Sequence, residues 1–171
     1  MAMPKTCDNK SVGVIIRHGN SLLLIKRKNF PVSFAFVAGH LDGDTFEDAA
    51  KKEALEEVRI AISELKELWG GTLMNPCKRD DGRGHEWKVF EAAKWDGTPQ
   101  AGSDAKETFW ASPEELGALR DKSIVFLKKH GFLTHNFDLR KATIKIAADE
   151  EWQKNPGLEL VWCFMLQKMG I

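Results

Sequence analysis

Gly39-His40-Leu41-Asp42-Gly43-Asp44-Thr45-Phe46-Glu47-Asp48-Ala49-Ala50-Lys51-Lys52-Glu53-Ala54-Leu55-Glu56-Glu57 reads as a glycine-containing loop running into a helix. From Phe46 to Val58 the chain is rich in strong helix formers. Asp44 or Thr45 can cap it, and Glu47 and Asp48 fall in the first turn, where acids suit the helix dipole. Phe46, Ala49, Ala50, Ala54 and Val58 recur at three- and four-residue steps and form a narrow core-facing stripe. Glu53, Glu56 and Glu57 stand at i, i+3 and i+4, which stacks three carboxylates on one face. Their mutual repulsion costs a few tenths of a kcal/mol per pair. A hard divalent cation, Mg²⁺ or Mn²⁺, reverses that cost, because carboxylate oxygens are its preferred ligands. Taken alone, the three glutamates read more simply as a solvated helix face than as a metal site.

Upstream, Val12 to Arg17 is apolar and β-branched, His18 to Ser21 reads as a turn, and Leu22 to Lys26 returns as a second strand, so a hairpin is expected. Phe34 to Ala38 is a third strand, apolar on both faces and ending in Gly39. Downstream, strands are expected near Leu65–Leu73 and Trp87–Lys94, with a polar loop broken by Pro76, Asp81-Gly82 and Gly84 between them. Thr108 to Trp110 is another short strand. Ser112 caps a helix with Pro113 at its first position. Two further helical stretches follow, Ser123–Lys129 and Leu158–Met169, the second after an Asn155-Pro156-Gly157 break. The irregular alternation predicts a mixed sheet flanked by helices.

The 171 residues carry 25 Lys+Arg against 25 Asp+Glu, with 43% hydrophobic and 29% charged residues. This composition suits a soluble globular protein, and zero net charge argues against long nucleic acid or an anionic membrane held by bulk electrostatics. Neutrality is a sum over opposed patches. Residues 44–57 hold six acids and two lysines, while Lys26, Arg27, Lys28, Lys78, Arg79 and Arg83 supply cations elsewhere. Cys7, Cys77 and Cys163 are an odd set without metal-finger spacing, as expected of a reduced intracellular protein. The first ten residues have no apolar stretch, so no secretory signal is expected. The longest apolar runs fall far short of the ~20 residues of a membrane span. The expected location is cytoplasmic.

The segment from Gly39 to Ile60 resembles the Nudix box, G-x5-E-x7-R-E-U-x-E-E-x-G-U, where U is a bulky aliphatic residue. The resemblance implies an α/β protein, a Nudix-like α/β/α sandwich with a central mixed β-sheet. It also implies a hydrolase that splits nucleoside diphosphates linked to another group. Glu53, Glu56 and Glu57 match the family's metal-binding glutamates. Five positions depart from the pattern. Asp44 stands for the loop glutamate, and the leading glycine falls on Ala38, unless the loop is one residue shorter and Gly39 is that glycine. Lys52 replaces the arginine and loses its bidentate fork. Ala54 takes the aliphatic position, and Arg59 takes the closing glycine, whose left-handed turn it must replace or strain to adopt. The Val12–Ile16 and Ser21–Arg27 hairpin and the Trp110–Leu116 segment are also similar to the family, in the right order. One domain is expected over 1–171, with a core at about 10–120 and a C-terminal helical extension at about 121–171.

The chemistry so implied is attack of water on phosphorus, with Mg²⁺ or Mn²⁺ on Glu53, Glu56 and Glu57 lowering the water's pKa. One of these glutamates, or Glu107 from a loop, is the candidate base. The Gly39 carbonyl is a candidate extra metal ligand, since glycine allows close backbone approach. Arg27, Arg79 and Arg83 are candidate phosphate contacts. His40 reads as positional. Cys77 and His85 have the chemistry of soft metal ligands, but two residues make no site. The expected partner is a small phosphorylated nucleotide, not a long nucleic acid or a membrane, and monomer and homodimer both stay open. The alternative is a non-catalytic nucleotide-binding or regulatory domain that keeps the fold.

Overall fold

In the computed structural model, residues 3, 5–79 and 82–171 are described. Asp81, one of the expected loop breakers, lies outside them.

The expected first hairpin divides between two sheets. β1 (Lys10–Ile15) belongs to a mixed sheet, and of the first expected strand only the end, β2 (Arg17–His18), pairs antiparallel with β3 (Ser21–Arg27). The chain turns from one sheet to the other at Ile16, which is buried and accepts a hydrogen bond from the Leu23 amide at 2.9 Å. The expected strand at Phe34–Ala38 divides in the same way. β4 (Phe34–Ala35) pairs with β3 and β5 (Val37–His40) pairs with β1. Phe36 between them is fully buried against Trp162, ring centroids 4.8 Å apart. Both runs are apolar on both faces because each crosses the seam between the sheets.

α1 (Phe46–Val58) has the expected bounds. Thr45 is its cap, its side-chain oxygen accepting from the Asp48 amide at 3.1 Å. Arg59 ends it in the left-handed region at φ 62°, and its amide donates to Leu55 at 3.2 Å. A side chain in that conformation costs roughly 1–2 kcal/mol, and the fully buried Ile60 that follows gives an apolar anchor just past the turn.

β6 (Ala61–Leu73) and β7 (His85–Asp96) are longer than the sequence suggested and form an antiparallel ribbon interrupted by bulges. The mixed sheet runs β5-β1-β7-β6, with β1 and β7 parallel. β8 (Ala105–Ala111) adds to the free edge of β3 in the antiparallel sheet. The helix expected at Ser112 and the stretch expected at Ser123–Lys129 are one element, α2 (Pro113–Lys129), closed by a capping box between Ser112 and Glu115. A division near residue 121 therefore falls inside a helix. α3 (Leu139–Ala147) and α4 (Glu150–Lys154) were not anticipated, and α5 (Leu160–Met169) starts slightly later than expected.

Register puts helices on both faces of the mixed sheet, as an α/β/α sandwich requires. Val12 is opposite Gly39 and Gly13 is opposite Ala38, so alternation sends Gly39 and Gly13 to opposite faces. A Cβ on Gly39 would sit 2.1 Å from the Glu53 carboxyl carbon of α1, and one on Gly13 would sit 2.4 Å from the Trp162 ring of α5. Trp162 also meets Trp87, centroids 6.1 Å apart, and is fully buried. The last helix thus closes the second face of the core. No helix among the described residues is long and apolar enough to cross a membrane.

Candidate functional site

A cleft of about 310 Å³ opens along the edge strand β5. α1 presents Glu53 and Glu57 to it, one turn apart. Glu57 is buried, and its Oε2 accepts from the Ala38 amide at 3.2 Å. Gly39 is glycine because the Glu53 carboxyl occupies the space a side chain would need. The backbone of β5 therefore lies directly against both carboxylates. This close approach favours the reading in which Gly39 is the box glycine and the loop is one residue short.

Burial raises the Glu53 carboxyl to about 7, and the neighbouring Glu56 charge adds to the shift against the attraction of Lys52. Burial, then the Glu53 charge, raises Glu57 well above the ordinary carboxylate range, with Arg27 and the Ala38 amide opposing. Two carboxylates that hold protons this tightly, with all-oxygen donors and a glycine cradle beside them, fit a hard divalent cation.

Arg27, at the end of β3, lines the cleft, but its guanidinium is engaged. It donates from Nε and Nη2 to Asp104 at 3.2 Å and from Nη1 to Glu159 at 3.2 Å. Burial would lower its proton affinity, and Glu159 and Asp104 more than offset that. Glu159, raised by burial and held down by Arg27, comes from the cap of α5. Asp104 and Glu159 were missed by sequence reading. Neither lies in a motif, and each reaches the site only through the fold, Asp104 from the segment entering β8 and Glu159 from the C-terminal region.

Arg79 also lines the cleft and is paired with Asp42, Nη2 to Oδ2 at 3.2 Å, which holds the Asp42 carboxyl well below its ordinary range. The remaining candidates lie elsewhere. Glu56 is exposed on α1 and outside the cleft lining. Glu107 is exposed on β8, paired in register with Lys26, and does not line the cleft, because it belongs to a strand of the other sheet. Arg83 is exposed and outside the lining, its amide donating to the Asn9 side chain at 3.0 Å. Lys52 and Asp44, two of the departures from the box, form an exposed ion pair at 3.3 Å.

Beyond Gly39 the cleft wall changes character. His40, Cys77 and His85 line it, and buried Cys7 stands behind them. Both imidazoles hold protons weakly. Burial, then Arg79, lowers His40, while burial, then His40, lowers His85 to about 4.

A fold of this topology with a paired-glutamate helix against an edge glycine defines a class, and sequence comparison identifies it. Residues 8–129 match the NUDIX domain, and the chain belongs to the Nudix family. It is 40% identical over 101 residues to an ADP-ribose pyrophosphatase of Methanocaldococcus jannaschii, a match covering 57% of each protein. The chain thus spans little more than half the length of that curated relative. Among solved structures it superposes on a MutT NUDIX hydrolase from Burkholderia pseudomallei with a TM-score of 0.54 at 22% identity, covering 63% of this chain and 84% of the other. It superposes on the NUDIX domain of Shewanella oneidensis NrtR, solved with ADP ribose, with a TM-score of 0.53 at 14% identity, covering 68% and 79%. These two likenesses concern the fold.

Proposed function

We propose that this protein is a divalent-metal-dependent pyrophosphohydrolase of a nucleoside diphosphate joined to another group, with ADP-ribose the first substrate to test. The observation that carries the reading is the pair of half-buried Glu53 and buried Glu57, one turn apart against the backbone of Ala38 and Gly39. The relative named for ADP-ribose pyrophosphatase activity supports the choice of substrate.

Glu53 and Glu57 would hold the Mg²⁺ or Mn²⁺, with the Gly39 carbonyl as a further oxygen and Glu56 at the exposed margin. The bound ion would supply charge neutralisation at phosphate and a more acidic water. The Ala38 amide donates to Glu57 Oε2 and so fixes this carboxyl group against β5. A carboxylate of this helix not engaged by the ion would accept the proton of the attacking water. The water oxygen attacks phosphorus, the P–O bond of the bridging oxygen breaks, and two phosphate monoesters leave.

Arg27 acts as counter-charge to Asp104 and Glu159, to which it is hydrogen-bonded, and opposes the upward shift of Glu57. Arg79, held by an acid outside the carboxylate pair, is the better placed cation for substrate phosphate. A panel of ADP-ribose, nucleoside triphosphates and nucleotide sugars, each with Mg²⁺ and with Mn²⁺, tests the reading by release of phosphate monoesters. Turnover of ADP-ribose with either ion is expected. Tight nucleotide binding without turnover under any divalent ion would instead establish the non-catalytic domain.

A further inference from the structure

Four chemically soft side chains from four separate segments meet beside the carboxylate pair. Cys7 precedes β1, His40 ends β5, Cys77 lies in the 74–84 loop, and His85 begins β7. One ligand atom from each lies within 4.8 Å of all the others. Cys7 Sγ is 3.4 Å from His40 Nε2 and 3.3 Å from His85 Nε2, and Cys77 Sγ is 3.4 Å from the same His40 Nε2. We propose that these residues form a tetrahedral Cys₂His₂ site for a zinc-class cation, separate from the carboxylate site.

The separations carry the argument. Tetrahedral bonds of about 2.3 Å to sulfur and about 2.0–2.1 Å to nitrogen place sulfur and nitrogen ligands about 3.5 Å apart. The three measured sulfur–nitrogen distances lie within a few tenths of an ångström of that value. Hydrogen bonding alone accounts for them less well. With both imidazoles accepting at Nε2, the two thiols have two protons for three contacts.

The surroundings also suit thiolates. The Asn9 amide donates to Cys7 Sγ at 3.4 Å, and the Arg79 amide donates to Cys77 Sγ at 3.2 Å. Two N–H groups aimed at the two sulfurs are the outer-shell support that metal-bound thiolates use. Two thiolates, two neutral imidazoles and one divalent cation sum to zero charge. That matters because Cys7 is 5% and His85 2% exposed. Donors of this kind select zinc over Mg²⁺, whereas the oxygen ligands of α1 suit Mg²⁺ or Mn²⁺.

The fold explains how distant residues converge. Lys10 pairs with Glu86 and Ser11 with both His40 and Trp87, so Cys7, His40 and His85 reach the same end of the mixed sheet. Leu73 opposite His85 starts the loop that returns Cys77 to them. Such a centre would tie the N-terminal segment to the 74–84 loop and hold Arg79 at the cleft.

The test is metal analysis of the purified wild-type chain. One zinc per chain is expected to survive dialysis and to be released when a mercurial caps the thiols. Co²⁺ substitution is expected to give a thiolate charge-transfer band and the intense visible bands of a tetrahedral ion. Both should be lost, with at least a roughly tenfold fall in bound metal, in a Cys7→Ser, Cys77→Ser variant. Wild-type protein without zinc and with only weak octahedral Co²⁺ absorption would overturn the proposal, whether or not the variant folds. So would a Cys7–Cys77 disulfide found by mass spectrometry in freshly purified protein. Neither readout depends on turnover, so failure here is distinguishable from failure of the hydrolase reading.

Discussion

The two faces of β5 at its C-terminal end present opposite chemistry. Gly39 brings its backbone against two carboxylates, and His40, the next residue, joins two thiols and a second imidazole. The carboxylates stand four residues apart on one helix, so local spacing alone places them together. The Cys/His group spans residues 7 to 85 and exists only because sheet register brings four segments to one edge. A site built within one element can be read from a sequence, whereas a site built between elements needs the pairing of the strands.

The largest effect is expected at Glu57. Glu57→Gln keeps the shape and the Ala38 contact but removes the charge, and kcat for ADP-ribose should fall roughly 100- to 10,000-fold. Zinc content should stay unchanged, which would show that the two sites are separable. Next is Gly39→Ala. The new methyl group must displace the Glu53 carboxyl, and misplacing it should lower kcat roughly 100-fold. Circular dichroism unchanged in the folded region would confirm that the loss is local.

A smaller effect concerns pH. Glu53 in the folded, metal-free chain holds its proton to about 7, above the ordinary 4.5. The folded state therefore binds more protons than the unfolded one between those values. The stability this contributes is fully present at low pH and is lost as pH rises through about 7, with Glu57 extending the loss upward. Chemical denaturation of metal-free protein should show a fall of about 1–3 kcal/mol between about pH 5 and pH 8. Mg²⁺ at the higher pH should reverse it, and Glu53→Gln should flatten it. Smallest of all is Lys52→Ala, which removes an exposed ion pair with Asp44 and should leave the thermal midpoint unchanged within error.

Much of the architecture was legible. The bounds of α1, the capped start of α2 and the mixed sheet flanked by helices all follow from periodicity and capping chemistry. What escaped were the crossings at Ile16 and Phe36, because a continuous apolar run looks the same whether it serves one sheet or two. α3 and α4 escaped because they are short and broken by polar residues. In the site, Glu53, Glu57 and Gly39 were readable from local spacing and the resemblance it carries. Arg27 was expected to contact phosphate; its guanidinium is instead engaged by Asp104 and Glu159, which lie 77 and 132 residues away, beyond any local pattern. Glu107 and Arg83 had the right charge without the right strand or orientation.

Everything proposed for the cleft depends on the pair Glu53 and Glu57 of α1 driving hydrolysis of a diphosphate. Its most direct measurement is the steady-state rate of ADP-ribose cleavage with Mg²⁺, compared between wild type and Glu57→Gln at matched thermal stability. A metal-dependent rate in the wild type and a loss of roughly 100-fold or more in the variant is the predicted result. Equal rates in the two proteins would contradict it.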